Sequence, residues 1–256
     1  PEEWTATLSS FDEVWGISHF TTKALSRIHS SVKYSAPVVL PLHEQKTVIR
    51  SPEAPFRFLF IFDAGSYIER KNPLAVVHAF QLAFAMGENV ELVLKVSNSN
   101  NSEHWQNVKL KALSDSRIKI IDKLMTSSEL DRLWNSANCY VSLHRSEGFG
   151  RTIAEALVRK LPVVATAYSG SNDLFPDDYP LLVKFDLIKI NKGEYPSSTD
   201  AVWAEPNTCS ASANMRYVFE HFDTEEVTIW RESGAEHVQQ NFMLQSKDRP
   251  LEGWNV

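Results

Sequence analysis

The sequence has little glycine and cysteine and no long apolar run, and each shortage excludes a class of protein. It contains nine glycines in 256 residues, whereas average usage of about 7% gives roughly 18, so a collagen-like or Gly-rich chain is excluded. Two cysteines, Cys139 and Cys209, cannot form a disulfide framework, which fits a reducing cytoplasm. No apolar stretch reaches about 18 residues, so we expect no membrane-spanning helix.

The charge balance and the histidines narrow the choice of partners further. The net charge is −6, and phosphate neutralisation needs clustered Lys and Arg, so we expect no nucleic-acid partner. The eight His residues show neither an HExxH motif nor clustered ligand spacing, so we predict no metal site. The first residues carry no basic and apolar leader pattern, so we expect no signal peptide.

Strand and helix patterns alternate along the middle of the chain. The strands are apolar on both faces, which is typical of a parallel sheet covered by helices. The predicted fold class is therefore α/β, a Rossmann-like parallel sheet with helices on both faces and further helices at the C-terminus. Strands are predicted at 56–62, 90–96, 117–121, 139–143, 162–166 and 181–185, and helices at 73–86, 103–114, 126–137, 150–160, 208–222 and 224–241.

The ends of the chain differ from this middle part. A strand-like segment at 11–18 precedes a helix that Ser18 is expected to cap, and residues 43–55 carry mixed charge and prolines without periodicity, as a linker does. We therefore divide the chain into three parts. These are a remnant of another domain with its linker (1–50), a ligand-binding domain (51–205) and C-terminal helices (206–256).

One loop between a predicted strand and helix has the features of an anion site, and we call residues 144–150 the glycine loop. Gly148 and Gly150 allow close backbone approach, and the helix that follows points unpaired N–H groups toward the loop. Glu147 precedes the turn and Glu155 lies in that helix. The alternative, a simple connector with a surface glutamate, stays open on spacing alone.

A second loop, residues 63–73, joins another strand to a helix, and we call it the basic loop. It carries adjacent cations at Arg70 and Lys71, which could equally be solvated partners of Glu69. If both loops lie at the carboxyl edge of one sheet, where such folds bind ligands, the cations and the helix start would form a diphosphate site.

These segments resemble a known enzyme family. The run S-E-G-F-G-R-T-I-A-E-A-L (146–157), followed by L-P-V-V-A-T (161–166), resembles the E-x7-E segment of family 4 glycosyltransferases with the GT-B fold. Glu147 and Glu155 fall on its two glutamates. E-R-K-N-P (69–73) resembles that family's donor-phosphate loop, and the likeness runs from about Phe11 into the C-terminal helices, loosely over the last 50 residues.

The resemblance implies a retaining transferase and one half of a GT-B fold. Such enzymes move a hexose from a nucleotide-diphosphate sugar, GDP-mannose-like or a UDP-sugar, to a glycan or lipid-linked acceptor, with no prosthetic group or essential metal. Residues 1–50 would then end an N-terminal acceptor domain, and 206–256 would pack back on that domain or the linker. The implied setting is polysaccharide biosynthesis in the cytoplasm, with peripheral association at the inner face of the cell membrane. A non-catalytic nucleotide-sugar-binding module and a GT-B epimerase or phosphorylase remain the alternatives.

The resemblance also implies roles for single residues. Lys71 and Arg70 would neutralise the diphosphate, and Glu147 would contact hydroxyls of the donor sugar without acting as a nucleophile. Glu155 would accept hydrogen bonds from the ribose diol. Many family members carry Gly-Arg where this chain has Gly65 and Ser66, so Arg70 is expected to substitute for that arginine. The remaining donor-binding positions are Gly65, Ser66, Gly148, Phe149 and Gly150, with Lys123 in the segment 122–124 that would frame the base.

Overall fold

The computed structural model describes residues 2–40, 53–99, 102–196 and 200–243. Its N-terminal part is a small βαβ unit in which β1 and β2 pair in parallel. Ser18 begins α2 through a capping box with Thr21, as the sequence predicts, whereas α1 has no counterpart among the predicted elements. The elements of this part are α1 (Glu2–Leu8), β1 (Val14–Gly16), α2 (His19–Leu25) and β2 (Val32–Tyr34).

The centre of the structure is a six-stranded parallel sheet in the order β5-β4-β3-β6-β7-β8. Helices connect its strands, so the predicted Rossmann-like α/β class is confirmed. The elements are β3 (Phe56–Asp63), α3 (Ile68–Lys71), α4 (Pro73–Ala83), β4 (Val90–Ser97), α5 (Glu103–Leu113), β5 (Ile118–Asp122), α6 (Ser127–Asn135), β6 (Cys139–Ser142), α7 (Arg151–Val158), β7 (Val163–Thr166) and β8 (Leu182–Val183).

The middle strands form the core because both of their faces carry apolar side chains. Phe58 and Leu59 point to opposite faces of β3, and neither is exposed. Leu92 and Leu94 on β4 are equally buried. Burial on both faces is what a parallel sheet between two helix layers requires, and it fixes the loops at the carboxyl edge on a rigid base.

The last predicted strand, 181–185, is divided between two sheets. Only β8 joins the central sheet, while β9 (Phe185–Lys189) pairs antiparallel with β10 (Val202–Pro206). We call Phe185–Pro206, without the undescribed residues 197–199, the β9–β10 hairpin. Its Trp203 is 2% exposed, so the hairpin is packed against the body of the protein.

Two C-terminal helices follow, α8 (Thr208–His221) and α9 (Glu225–Phe242), close to their predicted positions. The carbonyl of Phe242 accepts a hydrogen bond of 2.8 Å from the Val39 N–H, so the end of α9 meets the N-terminal part of the chain. The predicted boundary at 50/51 and most of the 43–55 linker lie outside the described residues, and the division into domains stays a prediction. No helix in the described ranges is long and apolar enough to cross a bilayer.

Candidate functional site

The basic loop and the glycine loop lie side by side because the strands that precede them are neighbours. β3 pairs directly with β6, so both loops emerge at the carboxyl edge of the sheet. The Arg145 N–H donates to the Arg70 carbonyl across 2.8 Å. The juxtaposition that a diphosphate site needs is therefore present, although the two loops are far apart in the sequence.

Two cations converge on one carboxylate between these loops. Lys71 Nζ lies 2.5 Å from Glu147 Oε1, and Arg70 Nη1 lies 3.1 Å from Glu147 Oε2. The side chains are only 12% (Arg70 and Glu147) and 17% (Lys71) exposed. Two positive charges against one negative charge leave this trio with a net positive charge, so it favours an additional anion.

Arg70 is held in place by the residues around it. Its guanidinium donates to Ser66 Oγ at 2.6 Å and to the Ser146 carbonyl at 2.7 Å. Ser66 thus positions Arg70. The loop itself turns at Asp63, whose carboxylate accepts from the Gly65 N–H.

The electrostatics of the trio keep Glu147 ionised. Burial is the largest effect and opposes ionisation, but the charges of Lys71 and Arg70 together outweigh it, so the pKa of Glu147 lies below its ordinary value. A carboxylate held in this way accepts hydrogen bonds and does not donate a proton near neutrality. The arrangement suits contact with hydroxyl groups and ordering of the two cations.

Backbone packing fixes the shape of the glycine loop. Gly150 has φ +92° and immediately precedes α7, a conformation that favours glycine. At Gly170 an added Cβ would lie 2.0 Å from the Gly148 carbonyl oxygen. The Glu147 backbone is bound from the same side, because its N–H donates to Ser169 Oγ and its carbonyl accepts from the Gly170 N–H.

The first residue of the glycine loop, His144, is a buried histidine that hydrogen-bonds to neighbouring elements. His144 is fully buried, with Nδ1 at 3.1 Å from Ser142 Oγ and Nε2 at 2.9 Å from Ser171 Oγ. Burial lowers the pKa of His144, although the charge of Glu147 opposes the shift. His144 is therefore neutral at pH 7 and acts in the described structure as a hydrogen-bonded support.

Glu155 lies apart from the trio, on the face of α7 that borders a cavity of about 550 Å³. Burial raises the pKa of Glu155, with the charges of Arg159 and Arg151 acting in the opposite direction. Asp131 also lines this cavity, and its Oδ1 lies 2.7 Å from Arg159 Nη2. Its walls come from α6, α7 and residues 38–40.

The other predicted residues have different surroundings. Phe149 is 5% exposed, packs on Phe242 with ring centroids 5.6 Å apart, and lines the cavity that Glu155 borders. Lys123 follows β5, two strands away from β3, and binds Glu129 at 3.0 Å. It is not a member of the charged trio. The described residues contain no group of three His, Cys, Asp or Glu side chains that could hold a metal ion.

One interaction of the glycine loop, between Arg145 and the β9–β10 hairpin, could not be predicted from the sequence. Arg145 Nε donates to Glu205 of the β9–β10 hairpin at 2.7 Å, and its guanidinium lies 5.1 Å from the ring centroid of Trp203. These partners are about 60 residues further along the chain. A pair so distant in sequence can be found only once the fold is known.

The sequence profile of one known family, glycosyl transferases group 1, matches residues 44–186, more than half of the chain. The chain belongs to the group 1 glycosyl transferases. The resemblance drawn from the E-x7-E segment is thereby confirmed. No curated protein matches the chain at a significant level.

Several solved structures are similar to this chain in fold. A glycosyltransferase from Rickettsia africae ESF-5 has 17% identity and a TM-score of 0.69, over 95% of this chain and 64% of that one. HepE from Anabaena, solved with UDP and glucose, has 15% identity and a TM-score of 0.67, over 90% and 59%. Sucrose-phosphate synthase from Thermosynechococcus elongatus has 18% identity and a TM-score of 0.63, over 94% and 56%. The chain thus spans less than two thirds of each of these relatives.

Proposed function

We propose that this chain is the donor-binding part of a retaining hexosyltransferase. Its donor is a GDP- or UDP-sugar, and its acceptor is a hydroxyl of a glycan or a lipid-linked saccharide. The observation that carries the proposal is the convergence of Arg70 and Lys71 on Glu147 beside the start of α7. A partly enclosed site with net positive charge and nearby backbone N–H groups suits a diphosphate.

The proposed chemistry is electrostatic. As the anomeric C–O bond to the diphosphate breaks, negative charge grows on the leaving group, and Lys71 and Arg70 stabilise it. The acceptor oxygen forms the new bond to the anomeric carbon on the same face, and its proton leaves with the diphosphate. Glu147 accepts hydrogen bonds from hydroxyls of the transferred sugar and aligns Lys71.

The cavity beside Glu155 is the proposed place of the nucleoside. A ribose diol offers two O–H donors, and a carboxylate between two arginines accepts both. The segment 122–124 at the end of β5 would then frame the base. The walls formed by residues 38–40 make this cavity dependent on the N-terminal part of the chain.

An acceptor domain is the proposed partner of the N-terminal part. Two-stranded parallel sheets standing alone are rare, because parallel strands are normally covered on both faces. Here β1 and β2 leave Trp15 57% exposed, and Phe11 beside them is 56% exposed. Covering by a further domain would bury both rings. We propose a cytoplasmic enzyme of polysaccharide biosynthesis, peripheral to the inner face of the cell membrane.

Calorimetric titration with UDP, GDP, UDP-glucose and GDP-mannose tests the donor site. We expect at least one of them to bind. Lys71→Met should weaken it by about tenfold or more, because a charge-assisted hydrogen bond contributes about 1.5–3 kcal/mol. Glu155→Gln should weaken the nucleoside as well as the sugar nucleotide. Lys119→Met, at an exposed lysine on β5, is the matched control.

Two results would overturn the proposal: no binding of any nucleotide by the wild type, or equal affinities in both site variants and the control. A titration with orthophosphate and assays of turnover separate the alternatives. A phosphorylase would bind orthophosphate in preference to a nucleotide, and an epimerase would convert the sugar nucleotide without an acceptor. A non-catalytic module would bind the donor and transfer nothing when joined to its acceptor domain.

A further inference from the structure

The β9–β10 hairpin reaches the basic loop, yet nearly all of it lies beyond the residues that match the family profile, which end at 186. Tyr195 from the hairpin meets Tyr67 of the basic loop, with ring centroids 4.8 Å apart and planes at 62°. Tyr67 directly follows Ser66, which positions Arg70. The hairpin therefore borders the proposed donor site.

The hairpin is fixed to the site by several contacts. Besides the Arg145–Glu205 ion pair, the Ala204 N–H donates to the Arg145 carbonyl at 3.0 Å. Trp203 is buried beneath the Arg145 guanidinium. Because Arg145 belongs to the glycine loop, these contacts pack β10 against that loop, and Tyr195 belongs to the connection between β9 and β10.

Tyr67 has an unusual backbone conformation. Its φ is +61° and its ψ is +98°, a region that costs a non-glycine residue about 1–3 kcal/mol and persists where the surroundings enforce it. Its carbonyl accepts from the N–H groups of Arg70 and Lys71 at 3.1 and 3.2 Å. The strained residue thus begins the turn that carries both cations and directs its own ring outward.

Both rings remain accessible beside this site. Tyr67 is 44% exposed and Tyr195 is 38% exposed. Tyrosine combines an apolar ring face with a hydroxyl that donates and accepts hydrogen bonds. That combination matches a hexose, whose C–H groups form an apolar face bordered by hydroxyls.

We propose that Tyr67 and Tyr195 form a sugar-binding subsite that holds the acceptor saccharide next to the donor. The inference rests on the proposed transferase function, because that function supplies the reason for a second sugar at this edge. The subsite stacks a hexose ring against the tyrosine pair.

Saturation-transfer NMR on this chain with maltose, cellobiose and α-1,6-mannobiose as probes tests the subsite. We expect transfer to at least one disaccharide, and about a fivefold weaker affinity in Tyr195→Ala, the size expected for loss of one aromatic contact. Tyr195→Phe should bind within about twofold of the wild type because it keeps the ring. Tyr34→Ala is the matched control, since Tyr34 is 39% exposed on the N-terminal unit.

The proposal fails if no probe binds to the wild type, or if Tyr195→Ala and Tyr34→Ala bind the probe equally. UDP and GDP titrations on the same samples keep this result separate from the donor site, and Tyr195→Ala should leave nucleotide affinity unchanged. Disaccharide binding that depends on Tyr195, without nucleotide binding, would refute the transferase function and support the sugar subsite alone.

Discussion

Replacing Glu147 by glutamine should destabilise the protein and do so only where the carboxylate is ionised. The change leaves Arg70 and Lys71 without a counter-charge, and removing one partner of a buried pair costs about 3–5 kcal/mol. The side chains of Arg70 and Lys71 are 12% and 17% exposed, so water still reaches them. Glutamine also keeps an oxygen that accepts one hydrogen bond. We therefore expect a loss of about 2 kcal/mol at pH 7, a factor of about 30 in the unfolding equilibrium.

The pH dependence follows from the lowered pKa of Glu147. A carboxyl whose pKa is lower in the folded state stabilises the fold above the unfolded value, here 4.5, and this stabilisation is lost as the pH falls through the folded value. The gap between the wild type and Glu147→Gln should therefore be fully present at pH 7 and smaller at pH 4. Urea unfolding followed by tryptophan fluorescence measures it, with an expected midpoint shift of about 0.7–1 M for a slope of about 2–3 kcal/mol per M.

Glu236→Gln is the control for this experiment, because Glu236 is an exposed carboxylate on α9. It should change the free energy of unfolding by less than about 0.5 kcal/mol. Equal midpoints for the two variants at pH 7 would refute the reasoning, as would a gap for Glu147→Gln that persists unchanged at pH 4. Equal midpoints would mean that water stabilises the two cations as well as the carboxylate does. A gap that persists at pH 4 would mean that the loss does not come from the charge of Glu147.

Three further predictions concern the support of the site. Gly170→Ala should lower the melting temperature well beyond Gly193→Ala, because its Cβ meets a backbone carbonyl at 2.0 Å, whereas Gly193 has open space and only the cost of φ +94°; similar melting temperatures would contradict this packing. The wild type should lose stability as the pH falls below 6.5, because the pKa of His144 is lower in the folded state and the unfolded state therefore binds the proton more readily than the folded state does. In urea unfolding, His144→Asn should make stability depend less on pH in this range. A thiol reagent should label one cysteine of the native chain, exposed Cys209, and spare Cys139, whose burial raises its thiol pKa; labelling of native Cys209→Ser would count against that.

The regular part of the fold could be predicted because its signals are local. Strands such as 90–96 are apolar throughout, and the Thr126 and Glu129 capping box marks the start of α6, so each element is encoded within a few residues. The helix predicted over 73–86 ends at Ala83 because Phe84 is extended, with φ −128° and ψ 125°. No local signal in the sequence marks that end.

The hairpin was not predicted for a related reason. Its first strand continues directly from β8, so one apolar pattern covers two strands that belong to different sheets. The antiparallel pairing then depends on burial of Trp203, and Arg145 stabilises that burial from another loop. Neither interaction is visible in a sequence window.

The candidate site was predictable in part. The pattern placed Arg70, Lys71 and Glu147 in two loops after strands, but the order of strands in the sheet decides whether such loops meet. The hydrogen bonds of His144 with Ser171, 27 residues away, likewise depend on the tertiary structure. Assignment of ligand roles to these residues stays a prediction that the titrations above address.

The adjacency of β3 and β6 also has a consequence for how the protein folds. Lys71 and Glu147 are 76 residues apart in the chain, and two βα units lie between them. Closing so large a loop is slow because its entropy is lost before the contact is gained. During synthesis the basic loop leaves the ribosome well before its acidic partner, so its two cations have no counter-charge until β6 has been added to the sheet. The site is thus completed late, and a chain stopped before β6 would retain a solvated basic loop in place of a binding site.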